Sequence, residues 1–193
     1  MSAASAAVLT NLTLGLDLAG VAANALLGAV KARERHLDLF GVAVVAIASG
    51  LAGGMIRDVL LQRGPPLALI HPAYLVTALG GPALTYLVAG YRRLWHHAYL
   101  YVDALALGCW AATGAALTLA SGLGWLAAIF LGTVTAVAGG ITRDVLLREV
   151  PIVFGGNTLY ATCVVLAGAV LVSIAEAGYP AAGIIAATLT GAG

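Results

Sequence analysis

Charge is what this chain has least of. Of 193 residues, nine are Lys or Arg and eight are Asp or Glu, 9% in all. A soluble domain carries about 25%, so too little charge is present to clothe a water-facing surface. The net charge of +1 leaves no basic arm or patch to neutralise phosphates, which excludes nucleic acid as a partner. Cysteine is also scarce. Cys109 and Cys163 both fall in apolar runs, with no CxxC or Cys/His spacing, so they read as small buried apolar residues and not as metal ligands. No Lys or Arg precedes the first apolar run in MSAASAAVLTNL; a cleavable signal peptide needs such a charged start, so the first span is expected to stay in the mature protein. HExxH, a nucleophile–base constellation and paired catalytic carboxylates at one depth are all missing, which argues against an enzyme. Nothing in the pattern calls for a cofactor.

What is plentiful is apolar sequence: 62% of positions, with a mean hydropathy of +1.02. The apolar runs approach the roughly 20 residues that cross a hydrocarbon core of about 30 Å. The chain therefore reads as an all-α integral membrane protein forming a single transmembrane domain over residues 1–193. Seven helical segments are expected, near Val8–Val30, Leu39–Leu61, Ala73–Tyr91, Tyr99–Ala120, Trp125–Leu147, Thr158–Ala175 and Ala181–Gly193. The last has 13 residues, about 20 Å of helix, so it is either clipped or ends within the inner leaflet. Connectors after segments one, three and five hold Lys31, Arg33, Arg35, Arg92, Arg93 and Arg148, and those on the other side only Arg63. The positive-inside rule then puts the N-terminus outside and the C-terminus in the cytoplasm of a prokaryotic plasma membrane. Trp95 and Trp125 suit interfacial anchors, as do His71, His96 and His97. The basic connectors suit anionic lipid headgroups and ordinary topogenic charge equally well.

One nonapeptide occurs twice, GGMIRDVLL at Gly53–Leu61 and GGITRDVLL at Gly139–Leu147, 86 residues apart. At the same offset Asp17 falls on Asp103, Gly28 on Gly114, Pro65 on Pro151 and Tyr74 on Tyr160. Ala, Leu and Gly matches would mean little in so biased a composition; Asp, Arg, Pro and Tyr mean more. The pattern predicts an internal duplication, with repeats at 8–91 and 92–175 and the seventh helix at 176–193. Each repeat holds three spans, an odd number, so the second copy is expected to lie inverted in the membrane, as in many transport proteins.

Gly53-Gly54 and Gly139-Gly140 admit two readings. Glycine lets helices pack closely, and it also breaks them. A break would leave free carbonyls at about Ser49–Ala52 and Thr135–Ala138, which attract cations; irregular backbone is tolerated only where it lines a cavity. Beyond the glycines, Arg57-Asp58 and Arg143-Asp144 lie well inside the bilayer. Sequence neighbours point about 100° apart on a helix, so Arg57 is not expected to pair with Asp58. Topology brings Asp17 to the depth of Arg57 and Asp103 to that of Arg143. Ion pairs Asp17–Arg57 and Asp103–Arg143 are predicted, leaving Asp58 and Asp144 to cap backbone or face the pathway. The charges serve either as a satisfied scaffold or as a field along an ion route. Thr10, Asn11, Thr13, Asn24, Thr133, Thr135 and Thr142 would solvate an ion or bond between helices.

The duplicated GGxxRDVLL, Asp17 and seven spans resemble prokaryotic members of the trimeric intracellular cation (TRIC) channel family. The resemblance implies a homotrimer with one pore per protomer, permeable to monovalent cations, mainly potassium and to some degree sodium. It implies a pore lined by the first two helices of each repeat and kinked at Gly53-Gly54 and Gly139-Gly140. Animal members of the family bind an inositol lipid through a basic residue beside the glycine kink. Here Met55 and Ile141 follow the glycines and no Lys precedes them, so that site is not carried over. Related bacterial sequences have been linked to glycine transport, which keeps open a secondary transporter of glycine or another small zwitterion.

Overall fold

The computed structural model describes residues 3–87, 92–154 and 158–192. Among these the chain is all helix, with no strand. The elements are α1 (Ala3–Glu34), α2 (Leu39–Leu60), α3 (Leu67–Ile70), α4 (Pro72–Leu87), α5 (Arg92–Ala120), α6 (Trp125–Leu146), α7 (Thr158–Glu176) and α8 (Pro180–Ala192), with a 3₁₀ turn at Ile152–Phe154. The seven segments expected from hydropathy correspond to α1, α2, α4, α5, α6, α7 and α8. The single-turn α3, between Pro66 and Pro72, and the 3₁₀ turn, directly after Pro151, were not foreseen, because each sits in a connector too short to show periodicity. Stretches in α1, α2, α5 and α6 are long and apolar enough to cross a bilayer (27, 22, 20 and 22 residues). The helices α4 and α8, at 16 and 13 residues, reach only about 24 and 20 Å. The interfacial roles expected for Trp95, His96 and His97 fall on side chains outside the described residues.

Local chemistry explains where the helices stop. Asp38 caps α2 by accepting from the Gly41 amide at 2.7 Å, which satisfies one of the donors orphaned at a helix start. Both α2 and α6 end in the same closing turn. Gln62 N donates to Val59 O and Arg63 N to Asp58 O; Arg148 N donates to Val145 O and Glu149 N to Asp144 O. Such a turn needs one residue at positive φ, and it falls on Gln62 (φ 50°) and Arg148 (φ 58°), positions 86 apart and neither a glycine. The α1 and α5 ends repeat the pairing, with His36 (φ 59°) and Gly122 (φ 80°).

The core is built of small residues. Ala25, Ala29, Ala32, Ala46, Ala78, Ala111, Ala112, Ala115, Ala128, Ala167 and Ala187 are fully buried. Lipid tails give helices no hydrophobic reason to associate, so close backbone approach and van der Waals packing must hold them. Outward faces carry Phe40, Val44, Val59, Leu126, Phe130 and Leu166, all exposed. So much exposed apolar surface is anomalous in water and ordinary against acyl chains.

One expectation is corrected here. Helix α2 runs unbroken through Gly53-Gly54 and α6 through Gly139-Gly140, so the half-helix carbonyl ends expected at Ser49–Ala52 and Thr135–Ala138 do not form. The glycines serve close packing. A methyl on Gly53 would overlap the Thr135 carbonyl oxygen, and one on Gly139 would lie 2.5 Å from the Ser49 carbonyl oxygen. Ser49 meets Gly139 while Gly53 meets Thr135, so α2 and α6 cross antiparallel, each glycine on the other helix's carbonyl. Such Cα–H···O contacts recur where helices pack this closely. Gly28 lies against Ser49, and its equivalent Gly114 against Thr135, in the same way.

A candidate ion pathway

The crossing sets the site. From Gly53 and Gly139 the two helices diverge toward opposite ends of the molecule, each carrying its Arg-Asp pair about one turn further on. Both motifs are consequently buried, on opposite sides of the crossing.

In the first half, Arg57 is fully buried. Its Nη1 and Nη2 donate to Asp17 Oδ1 and Oδ2 at 2.9 and 3.1 Å, a two-pronged fork. Its Nε donates to Asp58 Oδ1 at 2.9 Å. Asp17 also accepts from the Tyr74 hydroxyl at 2.8 Å and the Thr113 hydroxyl at 3.4 Å. Asp58 Oδ2 accepts from the Leu67 amide at 2.9 Å. In the second half Arg143 Nε donates to Asp144 Oδ1 at 2.9 Å, and Asp144 Oδ2 accepts from the Ile152 amide at 3.2 Å. Arg143 Nη1 stands 3.7 Å from Asp103 Oδ1 and makes no hydrogen bond.

The predicted pairs Asp17–Arg57 and Asp103–Arg143 thus form, the second more loosely. The expectation that Arg57 avoids Asp58, and that Asp58 and Asp144 stay unpaired, is corrected. Guanidinium has five donors in a rigid fork, so one arginine reaches across to α1 with its Nη atoms while Nε turns back to its own neighbour. The 100° between Cα directions does not limit so long a side chain. The other half of that expectation stands: both aspartates do cap backbone amides. The donor is Leu67 in one half and Ile152 in the other; residue 66, the equivalent of Ile152, is Pro66, which has no N–H.

Each cluster faces a cavity of about 10 Å³, roughly the space of one water. One is lined by Asp17, Gly54, Arg57, Asp58 and Tyr74, the other by Gly140, Arg143, Asp144 and Ile152 among others. Between them sits Trp110 on α5, fully buried and pressed against Gly20, Gly53 and Gly139, its Nε1–H unpaired. The repeat offset sets Trp110 against Asn24, and that polar-to-aromatic change is the only sequence signal that marks it. The hydroxyls proposed for ion solvation mostly serve their own helices. Thr13 donates to Leu9 O, Thr133 to Ile129 O and Thr135 to Leu131 O, the i−4 bond that satisfies a hydroxyl in apolar surroundings.

Sequence reasoning missed a second ion-pair network. Lys31, at the end of α1, donates to Asp144 Oδ1 at 3.0 Å and to Glu149 Oε2 at 3.1 Å. Arg35 Nε donates to Glu149 Oε1 at 3.0 Å. Partial burial raises the Glu149 pKa, but the bonds from Arg35 and Lys31 outweigh it and hold the carboxyl below its ordinary value. Beside this, Arg33 stacks 4.5 Å over the Tyr86 ring, tying α1 to α4.

Long apolar helices, crossing on glycines and burying paired charges on both sides of the crossing, define an integral membrane protein with a charged interior. The sequence profile of a family described as glycine transporter matches twice, at residues 14–90 and 100–176. A UPF0126 membrane protein of Deinococcus radiodurans is 38% identical over 148 residues, 76% of this chain and 69% of that one. The UPF0126 inner membrane protein YadS of Escherichia coli K12 is 36% identical over 156 residues, 80% and 75%. Among solved structures, a TRIC trimeric intracellular cation channel orthologue from Rhodobacter sphaeroides superposes with TM-score 0.85 at 34% identity, covering 93% of this chain and 95% of that one. A chain from a study of conductance through TRIC cation channels gives TM-score 0.83 at 31% identity, covering 92% and 87%. The chain belongs to the family that unites the UPF0126 membrane proteins with the prokaryotic TRIC channels. Its structural relatives are ion channels and not enzymes.

Proposed function

We propose that the protein is a monovalent-cation channel, permeable to potassium, assembled as a homotrimer with one route in each protomer. Seven spans arranged as two inverted three-helix repeats, 8–91 and 92–175, with a seventh helix at 176–193, would enclose a route along α1, α2, α5 and α6. The N-terminus lies outside and the C-terminus in the cytoplasm. The ion passes the Asp17–Arg57–Asp58 cluster, then the α2–α6 crossing, then the Asp103–Arg143–Asp144 cluster. Ionised groups are expensive at such depth and are kept where they serve a pathway. Four aspartates against Arg57, Arg143 and Lys31 leave the pathway one net negative charge, a field that attracts cations. In this conformation Trp110 and the paired glycines close the middle, so conduction requires the crossing to loosen.

The observation that carries this reading is the likeness to TRIC channel structures over 93% of the chain at TM-score 0.85, combined with buried charge clusters on both sides of the crossing. Glycine transport fits the clusters less well. In the first cluster, an Arg57 that held a substrate carboxylate would have to release one of the protein's own, since its Nε, Nη1 and Nη2 already bond Asp58 and Asp17. Purified protein in planar bilayers under a KCl gradient tests the proposal. Unitary currents that reverse near the potassium equilibrium potential support it. Saturable glycine uptake into proteoliposomes, without unitary currents, refutes it.

A further inference from the structure

The two halves bond their second aspartate in the same pattern, with the amide donor shifted by one residue, and they then differ in one charge. Asp58 and Asp144 each accept from the preceding arginine's Nε at 2.9 Å and from a connector amide. Asp144 alone also holds an ammonium, Lys31 Nζ at 3.0 Å. Lys31 is the only lysine in the chain, and at the repeat offset its counterpart is Leu117. It reaches Asp144 from a different helix, 113 residues away in sequence. Glu149 provides its second carboxylate, at 3.1 Å, and is itself anchored by Arg35. Where Glu149 stands in one half, the other has the exposed Arg63. A compact point charge on a flexible stem is the side chain best suited to take the place of a small hydrated cation, and Lys31 is only 15% exposed where it does so.

We propose that Lys31 is a tethered cation: its ammonium occupies a monovalent-cation site made by Asp144 and Glu149, and a permeating ion passes that end by displacing it. This rests on the channel reading above. The site takes one monovalent cation of potassium size. Displacement is inexpensive because Glu149, itself anchored by Arg35, keeps the ammonium close at hand when it leaves Asp144. Because Leu117 supplies no such charge beside Asp58, the two ends of the route carry different fixed fields, and current depends on its direction.

The single lysine makes the test direct. Protein labelled with [¹³Cε]lysine gives one lysine resonance; it is titrated with KCl against N-methyl-D-glucamine chloride at constant ionic strength. The proposal expects a saturable shift with potassium, lost in Asp144→Asn. A resonance indifferent to potassium overturns it, whatever the protein conducts. In parallel, protein of one orientation is recorded in symmetric KCl. Lys31→Gln is expected to raise unitary conductance at least about threefold for ions entering from the Asp144 end and to make the current–voltage relation more nearly linear. Lys31→Arg is expected to conduct less than wild type, because guanidinium leaves a bidentate carboxylate less readily. Unchanged rectification in Lys31→Gln, in protein whose wild type conducts, also overturns the proposal. A potassium-dependent shift in protein that never conducts upholds the cation site and refutes the channel reading instead.

Discussion

Removing the arginine of the first cluster should cost far more stability than removing its counterpart in the second. In Arg57→Ala, Asp17 loses both prongs of its fork and Asp58 loses its Nε bond. Tyr74 and Thr113 remain on Asp17 and the Leu67 amide on Asp58, but two buried carboxylates are left without the cation they shared. Breaking a buried pair in this way costs about 3–5 kcal/mol, and here two pairs break at once, so the upper end applies. Native proteins have only about 5–15 kcal/mol in total. In Arg143→Ala the lost contact to Asp103 is the looser one, at 3.7 Å, and an unsatisfied donor disappears with it. Lys31 stays on Asp144 to compensate that carboxylate. The second variant is therefore expected to lose at least about 1–2 kcal/mol less, the worth of one or two charge-assisted bonds. Thermal unfolding of both variants in detergent, followed by size-exclusion chromatography and circular dichroism, reads the difference. Equal losses, or a greater loss in Arg143→Ala, would refute the argument that the tighter fork and the missing lysine make the first cluster the more dependent on its arginine.

Three further outcomes follow from the same geometry. Gly53→Ala and Gly139→Ala should each destabilise the protein by several kcal/mol in the same unfolding assay, since the new methyl meets partner backbone that cannot yield. Gly54→Ala, whose methyl finds only Arg57 Nη2 at 3.7 Å, should be neutral or gain up to about 1 kcal/mol of helix propensity. Trp110→Ala empties the middle of the bundle, at a cost of about 3–5 kcal/mol; it should raise water permeability of proteoliposomes in stopped-flow shrinkage, which would stay at the wild-type value if Trp110 does not separate the cavities. Glu149 has a lowered folded-state pKa, so its stabilising contribution is complete above its unfolded value of about 4.3 and fades as pH falls through the lower folded value. Wild type should lose more stability on acidification below that point than Glu149→Gln, a difference kept small by the partial exposure of Glu149.

Much of this architecture was legible because its causes are local. Apolar runs placed seven helical segments. A single offset related Asp17 to Asp103 and Arg57 to Arg143 before any distance was known, and depth in the membrane then selected the long-range partners. What could not be read depends on the third dimension. The glycine pairs look the same in sequence whether they break a helix or admit a neighbour; only the Ser49 and Thr135 carbonyls lying on the opposite glycines decide for packing. The Arg57–Asp58 bond was missed because backbone direction says little about where a guanidinium ends. Lys31 read as a topogenic charge, for nothing in the first repeat's residues tells that its ammonium crosses to the second.

Single-channel recording of the purified protein in planar bilayers, with KCl on one side diluted against the other, measures the central claim most directly. The account predicts unitary currents that persist without added substrate and reverse near the potassium equilibrium potential. Protein that is folded and reconstituted yet passes no such current, or whose current reverses at the chloride potential, would contradict it.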